Sequence, residues 1–445
     1  FSSSFSPLLL LPPTPPLFPP SLFFFYYSFL FPPMFQMNEL LLAAGSANAQ
    51  ERGNATAHLE AAKEADVSAY LLELANVLGS ADAPAQQRLM AGILAKNALM
   101  PRDVSNRGAI AEYYSMVSEA TRQAMRAAVP RALVSREHFA RQAAATLGSA
   151  LGQLELLCLA RFPDKAGFGW PDLLPMLSTA VTAPDSVLQQ VAAPDSGSAE
   201  QLATTALEAL GFLSEDCDAE LLEAHANAIL TPVVHGLRPD EPNVQVRAAA
   251  ARALYHAISF AHAAFESDAE RDYLMKVVFN ACQATDETVR ETAFECLVAV
   301  GEEHYGVIGS HMEVIFNVTL TVISNAEESE DVVKQAIEFW TTIAEGEVRL
   351  LEDAEEAASL GIQPGQVSQG YVRHAAGALV PELLRLLTEQ DEDADETDWN
   401  PHMAAACCLS HMAQAMGDEI VKFVTPFVTE KLASSEWRGG GAGPA

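Results

Sequence analysis

From about residue 37 onward, apolar residues recur at three- and four-residue spacing in Ala- and Leu-rich stretches, broken by short loops carrying Pro, Asp or Gly. That period puts the apolar side chains on one face of a helix, and strand-like alternation is nearly absent. Four stretches overlay on one another, opening at Ala203, Arg247, Arg290 and Lys334, so their starts lie 44, 43 and 44 residues apart. A fifth copy opens at His402, 68 residues after the fourth, which predicts a loop insertion of about two dozen residues in one repeat. Two antiparallel helices and two turns fill a period of 43 to 44, the range of HEAT and armadillo repeats; ankyrin and tetratricopeptide periods are shorter. The expected fold is all-α, a HEAT-repeat right-handed superhelical solenoid of antiparallel helix pairs. No single repeat can bury its own apolar face, so the stack is the folding unit. A basic or small residue opens each copy after a loop such as 240–246 or 285–289, and is expected to bond to loop carboxylates of the next repeat, as a ladder.

Residues 1–36 break this pattern: they carry no charge and combine Phe, Leu and Tyr with nine prolines. Prolines at 12, 13, 15, 16, 19 and 20 interrupt any apolar helix, and Leu22–Phe31 is too short to span a bilayer. The stretch reads as a non-globular segment outside the fold, upstream of a start at Met37, with a targeting or anchoring segment as the alternative. The array is expected over 37–438, as amino-terminal repeats to about 180 and further repeats from about 181, with a disordered tail at 439–445.

Charge narrows the partners. Lys and Arg total 26 against 59 Asp and Glu, a net charge of −33 that repels phosphate backbones and favours basic proteins. Neither nucleic acid nor membrane insertion is expected. The six cysteines show no CxxC pair or regular framework, which suits reduced thiols of cytosol or nucleus. There is no GxSxG elbow, phosphate loop or HExxH, so no enzymatic activity and no cofactor is expected. Cys407 and His411 stand at i, i+4 beside His402 and Cys408, but no second pair at zinc-site spacing accompanies them, and small apolar filling is the better account. Asn54 and Asn317 open glycosylation-type triplets that read as chance.

Several stretches then match one family. Arg52 to Leu78 followed by Arg88 to Leu99, Gly169-Trp-Pro-Asp-Leu-Leu, Ile229 to Arg238, Glu270 to Val278, Ala336 to Glu347, and an acidic run leading into Trp399-Asn400-Pro401 follow its order and spacing. By these the chain, over roughly 37–437, resembles the amino-terminal half of the karyopherin-beta nuclear transport receptors of importin-beta type. Residues 149–169 read as extra sequence and 185–199 as loose against that pattern, and after Arg438 the family would continue into more repeats. The resemblance implies a monomeric receptor, moving between cytoplasm and nucleus through the pore. It would bind basic cargo or the importin-alpha adaptor, pass Phe-Gly nucleoporins and release cargo to Ran-GTP. An exporter of the same family, or a HEAT scaffold of a phosphatase complex, remains the alternative.

Three sets of residues carry the expected contacts. Glu389, Asp391, Glu392, Asp393, Asp395, Glu396 and Asp398, with Trp399 beside them, would attract a basic segment of importin-alpha and a basic patch of Ran, though charge alone also suits a solubilising loop. Leu230, Thr231 and Val234 on one first helix and Glu270, Tyr273 and Leu274 on the next would form a groove for nucleoporin Phe rings, against the plainer reading of ordinary core at helical spacing. Pro232 falls inside that first helix. Lys96 and Asn97, on a second helix, would touch Ran, or else are solvated or capping residues.

Overall fold

The structure is a computed structural model that describes residues 34–100, 106–388 and 399–433. Among these the elements are helical, with one isolated bridge between Ser135 and Ser196 and no strand. In chain order the helices are α1 Met34–Ala44, α2 Ala49–Ala65, α3 Val67–Gly79, α4 Ala85–Leu99, α5 Arg107–Met116, α6 Glu119–Leu133, α7 His138–Arg161, α8 Leu173–Thr182, α9 Pro184–Val191 and α10 Ala199–Asp216. They continue as α11 Ala219–Leu222, α12 Ala226–Gly236, α13 Val244–Ala257, α14 His262–Glu266, α15 Asp268–Ala281, α16 Glu287–Glu303, α17 Met312–Ile323, α18 Glu330–Leu360, α19 Tyr371–Leu386, α20 Pro401–Met416 and α21 Val421–Ala433.

These pack as a HEAT solenoid of two layers. The second helices α4, α7, α10, α13, α16, α18 and α20 each lie against the next, and the first helices, among them α3, α6, α8, α12, α15, α17, α19 and α21, form the other layer. One apolar core runs continuously from Met37 to Ile420. All five repeat copies read from the sequence fall on second helices, which are the more buried layer and so keep the tighter pattern. Starts are fixed by side-chain caps: Asn243 accepts from the Gln245 and Val246 amides, and Asp286 from that of Val289. α7 is long and apolar enough to cross a membrane, yet 67% of that window is buried inside the stack.

Glycines set the closest crossings of second helices. A Cβ on Gly92 would stand 2.7 Å from the Ala143 Cβ, and one on Gly301 3.1 Å from Phe339. The helix-interior prolines of the described residues, Pro130, Pro232, Pro381 and Pro426, all sit in first helices, as does Pro175 near the start of α8. Each removes one backbone donor from its helix. Pro232 is therefore accommodated inside α12, with Thr231 Oγ1 bonding back to the Asn227 carbonyl at 2.7 Å.

Four expectations need correction or refinement. The insertion before the fifth copy is not simply a loop. α18 continues through an Ala-, Glu- and Leu-rich run of good helix formers for 31 residues and stops at Gly361, whose φ of 71° ends it in the left-handed region. The ladder is partial. Arg290 pairs with Glu328 at 2.6 Å, but Lys334 reaches the Trp399 carbonyl, and the Arg247 Nε is buried without a hydrogen-bond partner. At the same offset of 38 residues that separates Arg290 from Glu328, the residue corresponding to Glu328 for Arg247 is Thr285, which carries no carboxylate. What recurs instead is local: Arg52, Arg141 and Arg290 each donate through Nη1 to the carbonyls six and five residues earlier, at 2.8–3.0 Å. The stretches that read as extra or loose are tied in: 149–161 is the end of α7, and Asp195 in the second one accepts from buried Arg88 at 2.7 Å and from Ser135 at 2.5 Å. Finally, the helical part begins at Met34, three residues before the boundary drawn at Met37. Residues 1–33 and 434–445, including the expected tail, lie outside the described residues.

Candidate functional site

The six residues assigned to a groove do line one cleft of about 500 Å³ between first helices α12 and α15, together with Asn227, His235, Arg238 and Ala264. Leu230, Val234 and Leu274 form its floor with 5%, 7% and 5% exposure, while the Tyr273 ring stands 57% exposed at the mouth. Thr231 and Glu270 are exposed at the rim. An apolar floor that still opens to solvent is a receptor for an apolar side chain, and full burial of an aromatic ring in such a place is worth roughly 1.5–3 kcal/mol. At one end Arg238 Nη1 lies 3.3 Å from His235 Nδ1. Burial, and then the Arg238 charge, lower the His235 pKa, so the ring stays neutral and can accept from the guanidinium.

A second cleft, about 310 Å³, opens between α17 and α19, lined by Met312, Glu313, Phe316, Trp340, Tyr371, His374 and Ala375. Sequence reasoning missed it. The only signal was an aromatic on each of two successive first helices, and the helix extension that separates them hides their register. The buried Trp340 donates to Thr319 Oγ1 at 2.9 Å. Tyr371 is fixed at the start of α19 because Glu347, buried, accepts from its amide at 2.5 Å and from the Tyr305 hydroxyl at 3.0 Å. Burial raises the Glu347 pKa against those bonds.

Lys96 and Asn97 lie on α4 near its carboxyl end. Asn97 is exposed, and Lys96 is half-buried with Nζ 3.6 Å from Asp216 Oδ2 of α10. The pair is thus at a free surface of the second-helix layer, about three first-helix positions from the α12–α15 cleft in chain order. The acidic residues Glu389, Asp391, Glu392, Asp393, Asp395, Glu396 and Asp398 lie outside the described residues. Trp399, next to them, is 51% exposed, with its carbonyl held by Lys334 Nζ at 3.3 Å, and Asn400 caps α20.

Cys407 and His411 do not gather a ligand set: His411 Nε2 pairs with Glu345 at 3.2 Å, and no group of three His, Cys, Asp or Glu able to hold a metal exists among the described residues. Burial pushes the Cys408 thiol up to about 12, far from the thiolate a metal would need.

No family model matches the chain. It is 35% identical over 400 residues to importin subunit beta-1 of Schizosaccharomyces pombe, covering 90% of this chain and 44% of that protein. It is 33% identical over 407 residues to importin subunit beta-1 of Arabidopsis thaliana, covering 91% and 44%. The chain therefore spans a little under half the length of these relatives. Among solved structures, yeast importin-beta (Kap95p) superposes with a TM-score of 0.78 at 28% identity, over 91% of this chain and 44% of that one. The Kap95:Nup1 complex gives 0.77 at 28% identity over the same shares. So does, at 0.74, the complex in which Kap95p binding induces the switch loops of RanGDP to adopt the GTP-bound conformation. With this agreement in sequence, fold and repeat order, the chain is a homologue of importin subunit beta-1 within the karyopherin HEAT solenoids.

Proposed function

We propose that the chain works as the amino-terminal part of a nuclear import receptor, moving between cytoplasm and nucleus through the pore and acting by binding alone. It binds Phe-Gly nucleoporins in the cleft between α12 and α15; the acidic segment at Glu389, Asp391, Glu392, Asp393, Asp395, Glu396 and Asp398, with Trp399, takes the basic segment of importin-alpha or basic cargo and a basic patch of Ran, and Lys96 and Asn97 add a further Ran-GTP contact. Ran-GTP releases the cargo. The observation that carries the reading is the open apolar floor of Leu230, Val234 and Leu274 under an exposed Tyr273. Its apolar floor suits a phenylalanine ring with room for the flanking chain, and a contact resting on one ring is weak enough to be made and broken quickly. Likeness to a protein solved with Nup1 and with RanGDP supports the partners. The α17–α19 cleft, with Phe316 and Tyr371 at its walls, suits a second ring.

The test is binding of a fluorescent Phe-Gly peptide, a basic peptide and Ran in both nucleotide states. Val234→Asp places a charge on the cleft floor and should cut Phe-Gly binding by about tenfold or more, leaving Ran binding intact. Unchanged peptide affinity would remove the cleft from the reading. Ran-GTP that strengthens cargo binding, where release is expected, would turn the assignment to an exporter.

A further inference from the structure

The loop from Phe162 to Trp170, between α7 and α8, carries a Phe-Gly pair of its own at Phe168-Gly169, seated in a slot built by other elements. The Arg122 guanidinium stands 4.3 Å over the Phe168 ring and the Lys165 ammonium 5.3 Å from it. Phe162 and Tyr114 tilt against the same ring at centroid distances of 6.0 and 6.5 Å. The main chain on both sides is held too. The Gly169 amide donates to Glu155 Oε2 at 2.8 Å, and Arg126 Nη2 donates to the Gly167 carbonyl at 3.4 Å. Gly167 and Gly169 have φ of 93° and 92°, a region residues with side chains enter only with strain. Glu155 and Arg122 are 1% and 5% exposed, and Arg122 Nε and Nη1 are buried without a hydrogen-bond partner, leaving the ring face as the partner of that cation.

Lys165 and Phe162 travel with the loop, so the slot itself reads a phenylalanine ring by one cation, Arg122, and one aromatic, Tyr114, and reads the peptides on either side by one acceptor and one donor. Tyr114, Arg122, Arg126 and Glu155 belong to α5, α6 and α7, and none of their contacts requires the ring to arrive on the 162–170 loop. We propose that this slot is a self-occupied binding site for Phe-Gly segments, closed by the chain's own Phe168 and taken by a partner's Phe-Gly segment when the loop lifts. The inference rests on the reading that the receptor binds Phe-Gly partners, but at a place separate from the α12–α15 cleft. A tethered ring competes at an effective concentration of order millimolar, so a micromolar peptide enters only poorly while Phe168 is in place.

The full chain with Phe168→Ala, probed with a synthetic Ser-Gly-Phe-Gly repeat peptide bearing a diazirine beside one Phe, tests this by mapping cross-links. In the unaltered chain cross-links should fall in the α12–α15 cleft. In Phe168→Ala, saturable cross-links should appear on segments 110–126 and 155–162 with a gain of about tenfold or more, competed away by unlabelled peptide. A second variant, two glycines inserted after exposed Asp164, keeps Phe168 and only loosens its tether; it should gain the same cross-links to a smaller degree. If a variant with native circular dichroism gains none, the slot is loop packing and the proposal falls. Absence of cross-links in the α12–α15 cleft of the unaltered chain would instead count against the nucleoporin reading, because the two positions are read separately.

Discussion

Glu155 is a buried carboxylate with three partners: it accepts from the Tyr114 hydroxyl at 2.5 Å, from Arg126, and from the Gly169 amide. Glu155→Ala would leave the part-buried Arg126 guanidinium and the buried Tyr114 hydroxyl without their acceptor. It should cost about 3–5 kcal/mol locally, seen as faster amide exchange in α5, α7 and the 162–170 loop and not in α16–α20. His304 behaves differently. Its ring stacks on Phe265 at 3.9 Å and its Nε2 lies 3.1 Å from the Ile258 carbonyl. Burial, opposed by that bond and helped by neighbouring His262, lowers its pKa from 6.5 to about 4. The unfolded chain therefore binds the extra proton between those values. Stability is full above about pH 6.5 and falls as pH drops toward 4, by up to about 3 kcal/mol from this group. His304→Phe should flatten that part of a pH-stability curve, and an unchanged slope would assign the pH dependence elsewhere. At this scale the sequence says less than it holds. Leu230, Val234 and Leu274 have the spacing of ordinary core, and only family resemblance singles them out, because periodicity cannot tell a floor open to solvent from a buried one.

Elements were legible where the period was intact. The second helices at Ala203, Arg247, Arg290, Lys334 and His402 stand at the expected positions because each must cross its neighbour with the same small-residue face. α4 and α7 belong to the same row, yet the interposed α5 and the 162–172 connection stretch their spacing and hid them. A repeat count records where a period fails and not what fills the gap, so the helical extension of α18 has no signature in the period. Two glycine substitutions separate packing from propensity in this layer. Gly92→Ala drives a methyl to 2.7 Å from Ala143 and 3.2 Å from its backbone, which should destabilise by about 1–3 kcal/mol in chemical denaturation. Gly346→Ala, inside α18 with nothing within 4 Å, should stabilise by about 0.5–1 kcal/mol. Equal effects would mean the crossing at Gly92 is slacker than the distances indicate.

For the molecule as a whole, a net charge of −33 and an apolar cleft make separate demands on solvent. Binding of a basic peptide should weaken by about tenfold or more between 50 and 300 mM salt, while Phe-Gly peptide binding changes little, since the Debye length shrinks and hydrophobic burial does not. Parallel salt dependence would place both ligands on one charged surface. The core is continuous from Met37 to Ile420, so disturbance spreads by neighbours, and unfolding should proceed repeat by repeat without one shared midpoint.

The helix-interior prolines of the described residues lie in first helices, where each removes a ladder bond, and close glycine crossings such as Gly92 on Ala143 knit the second helices, so the solenoid is expected to behave as a laminate, stiffer along one ply than the other. Bend such a strip and its neutral line runs close to the stiff ply, so nearly all the change of length is taken up across the yielding one. Both clefts between first helices open on that side. Their width is then a gauge of curvature, and a ring wedged into either one resists bending as a shim does, at a distance from whatever load is bending the strip.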